Sequence, residues 1–143
     1  MSKVLLIKAN DRPIEQGVSV KLYHAFADAY KKNHPNDDIF ELDLFAENLP
    51  YYDNFMMTAM FKEARGLEMS AEEKQAADKV NTYLNQFAAA DKVVIAFPLW
   101  NFTVPAVLHT YMDYLSQAGK TFRYTENGPI GLMGDKKVAL LTA

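Results

Sequence analysis

Residues 4–7 read Val4-Leu5-Leu6-Ile7, a continuous apolar run without period-2 alternation. That pattern marks a β-strand covered on both faces. The residues after it, Asn10-Asp11-Arg12-Pro13-Ile14-Glu15-Gln16-Gly17, are rich in breakers and read as a loop. Val20, Tyr23, Ala27 and Tyr30 then share one face of a helix predicted over 18–32, and Leu22 and Phe26 broaden that face. The helix stops before His34, because Pro35 disfavours helical geometry in the residue preceding it. Ile39, Phe40, Leu42 and Leu44 predict a second strand with an acidic side at Glu41 and Asp43. Strand, helix, strand in this order implies parallel pairing through a right-handed crossover.

Outward from this unit the alternation continues. A short Met-rich helix is predicted over 53–65, broken by Gly66, followed by a capping box in which Ser70 caps the Glu73 amide and Glu73 reaches back. Ala76, Val80, Tyr83, Leu84 and Phe87 carry the next helix to about Ala90. Val93-Val94-Ile95-Ala96-Phe97 is the most strand-like run in the chain. Pro105 suits the first turn of a further helix, with Thr103 as its cap, Leu108, Tyr111, Met112 and Leu115 on its apolar side, and an end near Gly119. Two extended segments around turns follow, Thr121-Phe122-Arg123-Tyr124 and Glu126-Asn127-Gly128-Pro129, and Val138-Ala139-Leu140-Leu141 makes a last strand. We read residues 1–143 as a single α/β domain, an open parallel sheet with helices on both faces. The last strand has the doubly buried look of an interior one, yet the sequence stops two residues later. It is therefore either a protected edge or, the reading preferred here, the end of a fragment of a longer protein.

Composition narrows the function. The chain has 143 residues, half of them hydrophobic, a formal charge of −3 and no cysteine. A core of this size needs no disulfide or metal, and the negative charge argues against nucleic acid as the main partner. Thiolate zinc sites and cysteine nucleophiles are excluded, and the three histidines, His24, His34 and His109, share no metal-like spacing. No signal peptide and no apolar run long enough for a membrane helix is found, so a soluble cytoplasmic protein is expected. There is no G-x-S-x-G elbow for a serine hydrolase, and the first loop is neither a G-x-G-x-x-G loop nor a P-loop, which argues against a nucleoside triphosphate. A phosphoacceptor receiver domain needs an aspartate at the end of the third strand, where Phe97-Pro98 stands.

Ligands of open α/β sheets bind beyond the carboxyl ends of the strands, at the point where strand order reverses. Two loops meet there. The first ends in Gly17, Val18 and Ser19 at a helix N-terminus, whose free amides suit a phosphate, although Ser19 could be an N-cap and nothing more. The second, Pro98-Leu99-Trp100-Asn101-Phe102, holds the chain's single Trp and can wall a flat aromatic ligand, or else plug the core or a dimer contact. The segment 122–128 reads as a surface excursion held by an Arg123–Glu126 contact. The cluster Leu49-Pro50-Tyr51-Tyr52 with Phe55, Met56, Met57, Met60 and Phe61 carries more apolar side chains than one helix face hides, which suits core packing, a lid or a dimer contact. His109, one turn into the helix after the Trp loop, is within possible reach of a ligand.

The start Met1-Ser2-Lys3-Val4-Leu5-Leu6-Ile7-Lys8, the loop 98–102 and the stretch Gly119-Lys120-Thr121-Phe122-Arg123-Tyr124-Thr125-Glu126-Asn127-Gly128-Pro129 together resemble the FMN-dependent NADH-azoreductases, a family of flavodoxin-like quinone reductases. The likeness runs through the whole chain in order. It implies a flavodoxin-like three-layer fold lacking the family's last strand and helix. It also implies FMN as cofactor, with Asn10, Gly17, Val18 and Ser19 at the phosphate and Pro98, Leu99, Trp100, Asn101 and Phe102 along the isoalloxazine. Where several relatives have more serines in the phosphate loop, this chain has Asn10 and Gly17, which leaves more of the binding to backbone amides. NADH as donor, azo compounds or quinones as acceptors, and a homodimer with active sites at its interface follow from the same resemblance. The flavin carries the redox chemistry, so no catalytic side chain is assigned. A flavodoxin-type electron carrier and a non-catalytic fragment are the alternatives.

Overall fold

The central strand of the sheet explains why residues 4–7 are apolar throughout. In the computed structural model, which describes residues 1–143, β1 (Lys3–Lys8) lies between β2 (Asp38–Asp43) and β3 (Lys92–Phe97), and β6 (Lys137–Thr142) pairs with β3. All four strands are parallel, in the order β2-β1-β3-β6. Val4 and Leu6 face α1 (Val18–Asn33), in a cluster with Tyr23, Ala27, Val94 and Ala96. Leu5 and Ile7 point to the other side, into a larger cluster with Val93 that α2 (Asn54–Ala64), α3 (Ala71–Ala89) and α4 (Ala106–Leu115) close through Met60, Val80 and Tyr111. Alternate side chains of β1 thus enter two different cores, and both must be apolar.

Local signals set most element ends. Asp53 accepts from the Met56 amide and Ser70 from the Glu73 amide, so both helices start on side-chain caps. Gly66, with φ +65°, ends the turn after α2. The capping box is half made. The Glu73 carboxylate turns away to Lys62 Nζ at 2.8 Å, because that cation on α2 offers more than the capping amide does.

Several expectations are corrected. Pro105 is the N-cap of α4 rather than its first residue, and Thr103 caps nothing; its amide instead donates to Trp100 O at 3.1 Å. That helix ends at Leu115 rather than near Gly119, and Tyr114, not Met112, fills its buried face. Leu22 is exposed, leaving Val20, Tyr23 and Ala27 as the buried face of α1. The two extended segments are one antiparallel hairpin, β4 (Phe122–Thr125) and β5 (Gly128–Gly131). Its turn is held by Thr125, whose hydroxyl donates to Gly128 O at 2.6 Å and accepts from the Asn127 amide; no Arg123–Glu126 ion pair forms. Short-range turn chemistry supplies what a long-range charge pair was expected to supply.

The last strand is covered on one side only. Ala139 and Leu141 pack toward α1, whereas Val138 and Leu140, on the opposite face, are 56% and 61% exposed.

A pH dependence arises at β2. Glu41 accepts from the Tyr23 hydroxyl at 2.7 Å and from Lys31 Nζ at 3.0 Å, and these contacts, Tyr23 first, hold its carboxyl below the ordinary value of 4.5. A depressed carboxyl pKa stabilises the fold above its unfolded value, and that contribution is lost as pH falls through the folded one. Urea unfolding from pH 7 to pH 3 should therefore show Glu41→Gln less stable than the parent at neutrality, with the gap closing below pH 4.5. A gap that is constant across the range refutes the assignment.

Candidate functional site

The strand order places one crevice on the molecule. The chain leaves β1 toward β2 on one side and returns to β3 on the other, so the carboxyl ends of β1 and β3 lie side by side with their following loops diverging. The Ala9 amide donates to Ala96 O at 2.9 Å and closes the floor between them. An open cavity of about 170 Å³ sits above this floor, lined by Asn10, Arg12, Gln16, Gly17, Val18, Ser19, Pro98, Leu99, Trp100 and Ala143.

Seven of the nine residues expected at the site from sequence meet in this cavity; Asn101 and Phe102 do not. They form the tip of a tight turn from Trp100 to Thr103, with φ values of +55° and +62°. Positive φ at both central residues is the signature of the mirror-image type I′ turn. Asn tolerates it, but Phe there is strained by about 1–2 kcal/mol. Phe102 is also 100% exposed, so no burial in this chain offsets that strain. Strain of this kind is characteristic of ligand-clamping loops.

At the other wall, Gly17 is the N-cap of α1, which excludes Ser19 as the cap. No acceptor in the protein meets the amides of Val18, Ser19 and Val20; the first helical bond is Lys21 N to Gly17 O. These amides add to the positive end of the helix dipole and form a ready site for an anion. Gly17 is needed for space. Its φ is an ordinary −106°, but a Cβ there would lie 3.0 Å from Val20 Cγ2 and 3.3 Å from Asn10 Nδ2. Asn10 is buried and bridges the loop to the helix: its Oδ1 accepts from the Arg12 amide and its Nδ2 donates to Ser19 Oγ, both at 2.9 Å. The residues fit a phosphate-bearing flat ring, with unpaired donors at one end and an aromatic wall at the other.

Three contributors escaped the sequence reading. Arg12 and Gln16 line the anion end, paired loosely at 3.4 Å through Arg12 Nη2 and Gln16 Oε1. The one cation in the breaker-rich loop was the available signal. Phe45 packs on Trp100 with ring centroids 6.2 Å apart, a contact between the loops after β2 and β3 that no local pattern announces. His109 is exposed on α4 and takes no part in the cavity.

A family model described as having the flavodoxin-like fold matches residues 2–143. The chain is 76% identical over all 143 residues to an FMN-dependent NADH:quinone oxidoreductase of Brevibacillus brevis and 63% identical to FMN-dependent NADH:quinone oxidoreductase 1 of Bacillus subtilis, spanning 69% of each relative's length. Among solved structures it is similar to an azoreductase from Bacillus anthracis str. Sterne, with 59% identity and a TM-score of 0.95 over 99% of this chain and 68% of that one. An FMN-dependent NADH-azoreductase from Bacillus anthracis str. Ames Ancestor, solved in complex with FMN, gives 31% identity and a TM-score of 0.88 over the same shares. These relatives favour the reductase over the electron-carrier alternative. With the parallel sheet, the crevice and the relatives in agreement, the chain belongs to the FMN-dependent NADH:quinone oxidoreductases of flavodoxin-like fold.

Proposed function

We propose that this protein is an FMN-dependent reductase that takes electrons from NADH and delivers them two at a time to quinones or azo compounds. The observation that carries the reading is the pairing, in one crevice, of unpartnered amides at the start of α1 with the Trp-bearing loop after β3. When bound, FMN supplies hydride acceptance from NADH and two-electron delivery to the acceptor. The chain's own residues bind and orient it. The Val18, Ser19 and Val20 amides, with the Ser19 hydroxyl, hold the phosphate, and Arg12 adds positive charge at the rim. Pro98, Leu99 and Trp100 flank the ring. The amide of Asn101, which bonds to no group in the protein, serves as a donor for negative charge on the ring's polar edge. Phe102 stands outside as an apolar stop for the acceptor.

Anaerobic mixing with NADH alone should bleach the visible flavin band, and later addition of a quinone should restore it. If the band persists until both substrates are present, the two-step scheme is wrong.

We also propose a homodimer working in the cytoplasm, where cells keep the NADH it consumes. Tyr51, 79% exposed, lies with Phe55, Met57 and Phe61 on an apolar surface around α2. The hairpin is separate from the main sheet, and an isolated two-stranded hairpin is marginal without a surface to pack on. A monomer at micromolar concentration in sedimentation velocity would count against the dimer.

The turn makes a further prediction. Phe102→Gly should raise the unfolding free energy by about 1 kcal/mol by releasing left-handed strain, and at the same time raise KM for a quinone. Chemical denaturation and steady-state kinetics on one preparation check both; a loss of stability would show that the ring is held by contacts within the chain.

A further inference from the structure

We infer that Asn10 is a positioning residue that aims the Ser19 hydroxyl at the cofactor's phosphate and so selects FMN over unphosphorylated flavin; the inference rests on the FMN reading above. The orientation of the Asn10 amide is fixed by chemistry. The Arg12 backbone N–H can only donate, so the side-chain atom 2.9 Å from it is Oδ1. The other end is then Nδ2, which can only donate, and its partner 2.9 Å away is Ser19 Oγ. Ser19 Oγ therefore accepts from Asn10, and its own proton must point elsewhere.

That proton finds no acceptor in the protein. Asn10 and Ser19 are 2% and 1% exposed, so the unmatched donor is buried, and a buried donor without a partner is costly. It lies on the first turn of α1 beside the three amides that also lack acceptors, at the wall of the same cavity. Four unmatched donors converging at a helix N-terminus call for an anion with several acceptor oxygens. Asn10 itself is spent on Arg12 and Ser19.

The test uses the chain with Asn10→Ala, Ser19→Ala and the double variant, each titrated with FMN and with riboflavin by flavin fluorescence. Each single variant should lose FMN affinity about tenfold, the worth of one hydrogen bond to a charged group. Riboflavin affinity should change by less than about twofold. The double variant should bind FMN no more weakly than Ser19→Ala, because the two residues act in series. The phosphorus resonance of bound FMN should move in both single variants. Equal losses for FMN and riboflavin, or additive losses in the double variant, overturn the inference. Asn10→Ser, polar but too short to bridge Arg12 and Ser19, should likewise lose FMN affinity about tenfold and replaces Asn10→Ala if that variant folds poorly; full FMN affinity in Asn10→Ser also overturns the inference. Failure of the parent chain to take up FMN refutes the flavin reading instead, and is separated from the other outcomes by the parent titration alone.

Discussion

Gly17→Val binds FMN at least about tenfold more weakly than the parent and unfolds about 1–3 kcal/mol more easily. The Cβ at this position meets Val20 Cγ2 at 3.0 Å, Asn10 Nδ2 at 3.3 Å and Arg12 Cβ at 3.4 Å. Two of these neighbours belong to the loop and one to the first turn of α1, so a valine wedges apart the two halves of the anion site. The Asn10 amide is the most movable of them. Shifting it breaks the bridge to Ser19 and tilts the amides that precede the first helical bond. Gly134→Ala is the control: nothing lies within 4 Å of its Cβ and its φ is not left-handed, so stability should stay within about 0.5 kcal/mol. Equilibrium flavin titration and urea unfolding read both effects. If Gly17→Val keeps FMN affinity, the loop does not need this close approach and the anion site is misplaced.

A second large effect is expected in the sheet. Ile7→Ala costs about 3 kcal/mol, within the range for truncating a buried aliphatic side chain. Ile7 is fully buried on the central strand, pairs with Leu42 on β2 and Ile95 on β3, and belongs to the larger core. Neighbours on three sides leave little room for collapse into the cavity. Against a net stability of about 5–15 kcal/mol the loss is large. The flavin site should weaken with it as temperature rises, because β1 delivers Asn10 directly. Val138→Ala, on the exposed face of β6, should cost less than about 1 kcal/mol. Comparable losses at both positions would mean that the two faces of the sheet are not differently covered.

How much of this was legible beforehand depends on the range of the interaction concerned. The apolar run at residues 4–7, the caps at Asp53 and Ser70, the break at Gly66 and the stop before Pro35 all act within a few residues, and each is where its chemistry puts it. The same holds for the resemblance, which rests on contiguous motifs. The parallel sheet and the position of the two loops at its carboxyl edge followed from the order of elements. What failed were statements needing a partner from elsewhere. Glu73 was drawn from its box by Lys62 on another helix. Thr103 was taken up by the turn to Trp100 before it could cap α4. Leu22 met no neighbour to bury it, while Tyr114 did.

The site divides along the same line. Sequence alone determined that a helix N-terminus and a Trp-bearing loop would face one another, because hydrophobic periodicity and parallel connectivity leave one place for both. Only the tertiary structure decided what each residue does there. It made Asn10 a bridge between the loop and the helix, freed Ser19 from capping, brought Arg12 to the wall and Phe45 against Trp100, and held Asn101 and Phe102 at a strained tip outside the cavity. The physical reason is that hydrogen bonds and packing are satisfied across space, by whichever group the fold brings within about 3 Å, and no local pattern in a sequence records that choice.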